Sequence, residues 1–178
     1  EVISNYVNNK LEGEYRGYYA GGLLFQKGNY TDGVRIGIHE TYDEDGQISV
    51  MEKYDNQGKQ MESVEYIEGK PYKKLEFQNG KLYLEYHLDV EGRYTGKLKK
   101  YYENGNRKSK IMYYHGVKDG KYIKYYPNGV FSVEGRYKNG VKVGKEKRYN
   151  EYGSLIDTID HGGYESGVNE DYEGDVYE

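Results

Sequence analysis

Gly96-Lys-Leu-Lys-Lys-Tyr-Tyr-Glu-Asn-Gly105, Gly120-Lys-Tyr-Ile-Lys-Tyr-Tyr-Pro-Asn-Gly129 and Gly144-Lys-Glu-Lys-Arg-Tyr-Asn-Glu-Tyr-Gly153 are one phrase written three times. The opening glycines lie 24 residues apart, as do the closing glycines and the pair Gly116 and Gly140. A fixed period of this length is the signature of a repeat array, in which each short unit buries its surface against its neighbours. The same frame runs towards the N-terminus, because Gly13 to Gly37 and Gly22 to Gly46 are also 24 apart. Full units are therefore expected at about 9–56 and 92–161.

Within each unit a 9-residue step is followed by an 11-residue step, and both lengths suit strands separated by glycine-rich turns. Five residues after the opening glycine stands a tyrosine in every unit: Tyr18, Tyr42, Tyr101, Tyr125 and Tyr149. Eight residues after the second glycine stand Tyr30, Tyr54, Tyr113 and Tyr137, with His161 in the last unit. Equivalent rings in successive units are expected to stack into one ladder that forms the core, each cross-strand aromatic pair adding roughly 0.2–1 kcal/mol.

Residues 57–91 keep the strand rhythm but lose the 24-residue frame. Gly58, Gly69, Gly80 and Gly92 are 11, 11 and 12 apart, and Tyr66, Phe77 and Leu88 hold the eighth position. Leu82, Leu84, Tyr86 and Leu88 alternate with Lys81, Tyr83, Glu85 and His87, a period-2 strand with one apolar side. Asn79-Gly80, Asn104-Gly105, Asn128-Gly129 and Asn139-Gly140 read as hairpin-turn dipeptides. The fold class that follows is all-β: a single-layer twisted antiparallel sheet of stacked hairpins, an elongated repeat array. About thirteen strands at ~4.8 Å spacing give a ribbon of roughly 60 Å. No helix is expected. The array is read as 1–161, with 162–178 as a degenerate cap or acidic tail.

The composition agrees. The chain has 178 residues, 25 of them Tyr and 25 Gly, with 3 Phe and no Trp, and its mean hydropathy is -1.07. Tyr offers an apolar ring with a wet hydroxyl, which suits half-buried sheet faces better than a dry interior. With no Cys there are no disulfides and no thiolate chemistry. No 18-residue apolar run is present, so no transmembrane segment is expected. Glu1 stands first without a Met, which a removed signal peptide and a trimmed sequence explain equally; localisation stays open between a bacterial cytoplasm and export.

The Tyr-Tyr-x-Asn-Gly phrases, at Tyr101–Gly105 and Tyr125–Gly129, with Tyr137-Lys138-Asn139-Gly140, resemble the MORN-repeat variant of bacterial proteins, most of them labelled YwqK-type antitoxins. The resemblance implies stacked hairpins in one sheet, protein contacts, dimerisation and, in some arrays, acidic lipids. A homodimer is one arrangement it allows. The chain departs from the commoner MORN pattern by lacking its Trp and Gly-x-Gly steps, which weighs against carrying over lipid binding.

Catalytic signals each meet a plainer explanation. His39, His87, His115 and His161 fall in different slots and form no metal-ligand pair by spacing, so surface or turn histidines are expected. Asp43-Glu44-Asp45 reads as a solvated turn. No nucleophile elbow, phosphate loop or calcium loop occurs. The sequence reads as non-enzymatic, with no catalytic residue, cofactor or metal expected.

Charge is segregated. Residues 1–92 carry 10 basic and 17 acidic side chains, 93–148 carry 16 and 4, and 149–178 carry none and 9. Lysines on sheet faces also guard against edge pairing. The functional alternative is a docking face for an acidic protein partner, with Lys97, Lys99, Lys100, Lys121, Lys124, Lys145, Lys147 and Arg148 steering approach and Tyr101 and Tyr125 supplying contact area. Such a face makes the chain an interaction module, antitoxin-like or immunity-like. The alternative is peripheral binding of an anionic membrane surface or nucleic acid through 93–148.

Overall fold

The computed structural model describes residues 1–163. Part of the segment expected as a cap or acidic tail, from residue 164 onward, lies outside the described residues. The described chain is one open antiparallel sheet whose strands follow each other in order without a crossover. They are β1 (Val2–Val7), β2 (Lys10–Tyr18), β3 (Leu24–Thr31), β4 (Val34–Tyr42), β5 (Ile48–Tyr54), β6 (Gln60–Ile67) and β7 (Lys70–Gln78). Then come β8 (Lys81–Leu88), β9 (Tyr94–Tyr101), β10 (Arg107–Tyr114), β11 (Val117–Tyr125), β12 (Phe131–Lys138), β13 (Val141–Tyr149) and β14 (Leu155–Asp160). The all-β antiparallel array is as the repeat requires. Fourteen strands replace the thirteen expected.

Each full unit is a hairpin: β2–β3, β4–β5, β9–β10, β11–β12 and β13–β14. Its opening glycine lies inside the first strand with positive φ, as at Gly37 (68°) and Gly144 (63°), where the register against the preceding strand slips. A bulge there needs a residue that adopts the left-handed region without strain, which is why this glycine recurs. Turns come in two kinds. Asn79-Gly80 and Asn139-Gly140 are two-residue turns with both residues at positive φ. Asn104-Gly105 and Asn128-Gly129 differ from the hairpin dipeptides expected of them: only the glycine has positive φ, and the asparagine reaches sideways to the next turn, Asn104 Nδ2 donating to Pro127 O at 2.8 Å and Asn128 Nδ2 to Glu151 O at 3.1 Å.

The second tyrosine of each Tyr-Tyr pair does the same work. Tyr19 Oη donates to Tyr42 O, Tyr102 Oη to Tyr125 O and Tyr126 Oη to Tyr149 O, at 2.7–2.8 Å. Each bond runs to the first tyrosine of the following unit. Where no full unit follows, an Asx residue replaces that tyrosine and caps its own turn. Asp43 Oδ1 accepts from the Asp45 and Gln47 amides, and Asn150 Oδ1 from those of Tyr152 and Ser154.

The aromatic core differs from the single ladder expected. Residues directly opposite in neighbouring strands share a face of the sheet. One such line runs His39, Glu52, Ser63, Leu75, Glu85, Lys99, Lys110, Ile123, Glu134, Lys147. We term this the front face. It enters at the second residue after an opening glycine and arrives at the third residue after one, so the ring-bearing slot has moved to the back. On the front, Tyr15, Tyr30, His39 and Tyr54 form a chain of edge contacts 5.2–5.8 Å apart. On the back, Tyr86, Tyr94 and Tyr113 lie 5.0–5.5 Å apart, and Tyr122 meets Tyr137 at 4.7 Å. The cause is the number of strands between the two runs. β6, β7 and β8 are three, so β9 runs opposite to β2 and β4. A chiral unit reversed in direction within one growing sheet is turned by half a rotation about the direction of growth, and that rotation exchanges the faces.

Candidate functional site

The basic segment occupies β9 to β13, and strand alternation divides its residues. Lys97, Lys99, Tyr101, Lys121, Tyr125, Lys145 and Lys147 lie on the front face, while Lys100, Lys124 and Arg148 lie on the back. The ten residues grouped by sequence are therefore two surfaces. Lys97, Lys121 and Lys145 occupy the same slot of three successive units, so they form a row crossing the sheet at intervals of two strands, about 10 Å.

On the front the cations outnumber the carboxylates. At the β8–β9 edge Glu85 is matched: Lys99 Nζ donates to its Oε1 at 2.6 Å and Tyr101 Oη to its Oε2 at 2.7 Å. Burial pushes the Glu85 carboxyl up, but those two hydrogen bonds outweigh it and its pKa ends below the ordinary value. Burial and the bond to Glu85 push the Tyr101 phenol up to about 12. Farther along, Glu134 accepts from Tyr149 Oη at 2.7 Å and forms looser ion pairs with Lys121 at 3.9 Å and Lys147 at 3.7 Å, both longer than a hydrogen bond. The ring of Tyr125 lies under the Arg107 guanidinium at 5.9 Å. Lys121, Lys145 and Lys147 are exposed.

The back face is organised around Glu146, which is 2 % exposed. It stands in the slot held by Leu98 and Tyr122 in earlier units, a position that gave no sign of a buried acid beyond that equivalence. Tyr122 Oη donates to its Oε2 at 2.5 Å, Arg148 Nε to its Oε1 at 2.9 Å, and Lys142 Nζ also donates to it. Burial pushes this carboxyl up, yet the bonds from Lys142, Tyr122 and Arg148 dominate and hold it at about 2. Lys142 also lies over the Tyr122 ring and Lys118 over the Tyr137 ring, at 5.7 and 5.1 Å. Much of the positive charge on this face is thus committed inside the sheet.

The histidines do not all lie where expected. His115 is an exposed turn residue, its Nδ1 2.8 Å from Asp89 Oδ2, but His39 is 2 % exposed. Its ring fills the space over Gly28, where an added Cβ would fall 2.2 Å from Nδ1, and Nε2 bonds Asn29 O at 2.9 Å. Burial and the Arg35 charge lower its pKa, so it is neutral. Asp43, Glu44 and Asp45 form an exposed turn. Among the described residues no three His, Asp or Glu side chains converge as metal ligands would, and no helix is long and apolar enough to cross a membrane.

The family model of the MORN repeat variant matches residues 35–56, 94–114 and 118–139. Each match covers one hairpin unit, β4–β5, β9–β10 or β11–β12, closing at or just beyond its eighth-position tyrosine. The unmatched β2–β3 and β13–β14 hairpins repeat the bulge and turn geometry of the matched ones. No curated protein matches the chain. MORN repeats are in general protein- or membrane-binding modules.

Proposed function

We propose that this chain is a non-enzymatic protein-interaction module that docks an acidic protein partner on the front face of β9–β13, in the manner of an antitoxin-like or immunity-like binder. The observation that carries the reading is the row of Lys97, Lys121 and Lys145, flanked by Lys147 and by the rings of Tyr101 and Tyr125 on one face. Lysines there steer an acidic surface into place, and tyrosine rings supply rigid contact area. On the back face Arg148 and Lys142 are bound to Glu146 and Lys118 lies over the Tyr137 ring, while Lys100 and Lys124 stand in the slot that Arg148 holds in the last unit.

The test compares the two faces. Lys121→Glu with Lys145→Glu alters the front, and Lys124→Glu with Lys100→Glu alters the back. Partner capture from the source cell is expected to fail with the front pair, to persist with the back pair, and to weaken as salt rises. Equal loss from both pairs would remove the face assignment. Wild-type binding to phosphatidylserine vesicles or single-stranded DNA, with no specific protein captured, would replace the reading with a polyanion-binding one.

A further inference from the structure

The front of β10–β13 presents exposed apolar side chains as well as cations. Tyr114 pairs with Val117 across the β10–β11 turn, and both alternate onto the front with Lys110 and Lys121. Val141 alternates onto the same face with Lys145 and Lys147. Tyr114 is 65 % exposed, Val117 45 % and Val141 65 %. Single apolar side chains on a surface need no explanation, but these recur in register. Val117 and Val141 stand three residues before the opening glycines Gly120 and Gly144, and Lys121 and Lys145 stand one residue after them. Two successive units therefore repeat one exposed valine and one exposed lysine on one face. Four residues of strand, about 13 Å, separate valine from lysine within a unit, and two strand spacings, about 10 Å, separate unit from unit. Between the two rows lie Asp119, which Lys138 meets at 3.1 Å, and half-buried Val143. The strip is apolar along one margin and basic along the other.

We infer that the partner element seated on this strip is an amphipathic acidic α-helix lying across the strands, with its acids on Lys121 and Lys145 and its apolar side on Tyr114, Val117 and Val141. The inference rests on the docking reading of this face. Periodicity selects the helix. Acids seven residues apart on a helix share a side and are separated by about 10.5 Å, the interval of the two lysines. On an extended strand, acids sharing a side are about 7 or 13 Å apart, and the third residue on, at about 10 Å, faces away. Width agrees as well, because a helix with its side chains is about 10–12 Å across and fits between the rows. The lysines set approach and orientation, and the buried apolar margin holds the helix once seated.

A designed peptide of three heptads tests the inference, with Glu at one heptad position, Leu one and four positions later, and its helix locked by a side-chain staple. The controls are a stapled peptide of the same composition with its Glu residues spread around the helix, and a polyglutamate peptide of the same charge. Fluorescence anisotropy with the full chain should show the designed peptide binding at least about tenfold more tightly than either control. Val117→Ser with Val141→Ser should weaken it about fivefold or more, through lost apolar burial and at an unchanged salt dependence. Lys121→Glu with Lys145→Glu should abolish binding, and Lys100→Glu with Lys124→Glu should leave it as in the wild type. Urea midpoints of the variants check that the sheet is intact. Polyglutamate bound as tightly as the designed peptide, through Lys121 and Lys145, would overturn the helix and leave an acidic partner standing. Equal loss from the back pair would overturn both the helix seat and the face assignment. No binding of any of the three peptides would overturn the helix, while partner capture with the front and back pairs decides the docking reading separately.

Discussion

The β4–β5 hairpin and the β11–β12 hairpin have the same glycine spacing and the same eighth-position tyrosine, yet they bury their second-slot side chains on opposite faces. In the first, His39 lies on the front between Tyr30 and Tyr54; in the second, Tyr122 lies on the back against Tyr137. The units have not changed. Three intervening strands have, and an odd number inverts everything after it. A repeat thus fixes what a unit looks like, while the parity of the interruption fixes which side of the sheet the unit addresses. In this chain the inversion leaves the lysine-rich slots of the second run on the front, opposite that run's own aromatic core.

The largest effect that separates the two runs comes from the glycines beneath the buried side chains. A Cβ on Gly28 would lie 2.2–2.6 Å from three atoms of the His39 ring, and one on Gly135 would lie 2.8–2.9 Å from the Tyr122 ring. Neither ring can retreat without leaving its aromatic neighbours. Gly28→Ala should cost about 3 kcal/mol or more and Gly135→Ala about 1–3 kcal/mol, as overpacking does. Urea unfolding with site-resolved hydrogen exchange would place each loss in its own run. A milder Gly28→Ala than Gly135→Ala would show that His39, unlike Tyr122, has room to move.

Acid should separate the runs next. His39 has a lowered pKa when folded, so below its ordinary 6.5 the unfolded chain takes up a proton that the native ring refuses. Stability of the first run therefore falls as pH drops through 6.5. Glu146 has a folded pKa of about 2 against an ordinary 4.5, so its contribution is complete above 4.5 and lost between 4.5 and 2. That contribution is of order 3 kcal/mol. Hydrogen exchange, corrected for its intrinsic pH dependence, should show β3–β5 loosening at a higher pH than β11–β14. Glu146→Gln should be less stable than the wild type at pH 7 and should converge with it near pH 2. A gap that persists unchanged at pH 2 would mean that the carboxylate charge is not what Lys142 and Arg148 hold.

Much of this was legible in the sequence, and the rest was not for a definite reason. Glycine spacing set the antiparallel hairpins, but the eighth-position tyrosines meet rings of other slots, Tyr15, His39, Tyr94 and Tyr122, rather than stacking on one another. Face assignment was missed because period-2 alternation carries over from strand to strand only when every bulge is counted, and a bulge is a φ value at Gly37 or Gly144 that the letter alone does not state. Glu146 was missed because one acid among lysines reads as a surface residue; its neighbours in the same slot, Leu98 and Tyr122, were the signal. The replacement of Tyr-Tyr by Tyr42-Asp43 and Tyr149-Asn150 marks the end of each run and was visible, but its meaning needed the hydrogen bonds.

Those bonds set a smaller effect. Tyr126→Phe removes the Oη bond to Tyr149 O between two full units and should cost about 0.5–1.5 kcal/mol. The loss should appear as faster exchange in β13–β14, the last unit of its run. Tyr125→Phe is the matched control on the outward tyrosine of the same pair. Equal losses from both would mean that the tyrosines contribute ring packing alone and that the units are held together only by their strand ladders.

The smallest effect bears on the face itself. Lys121 is exposed and 3.9 Å from Glu134, a geometry in which an ion pair contributes no more than about 0.5 kcal/mol. Lys121→Ala and Lys145→Ala should each leave the urea midpoint within that margin. A loss clearly above about 1 kcal/mol would make the lysine row a structural element whose period follows from the repeat alone, with no partner required. A negligible loss leaves Lys121 and Lys145, in the same slot of successive units on one face, outside the account of folding. Solubility and protection of a sheet surface would then explain lysines on either face equally, so only a front-specific loss of binding would assign the row to docking.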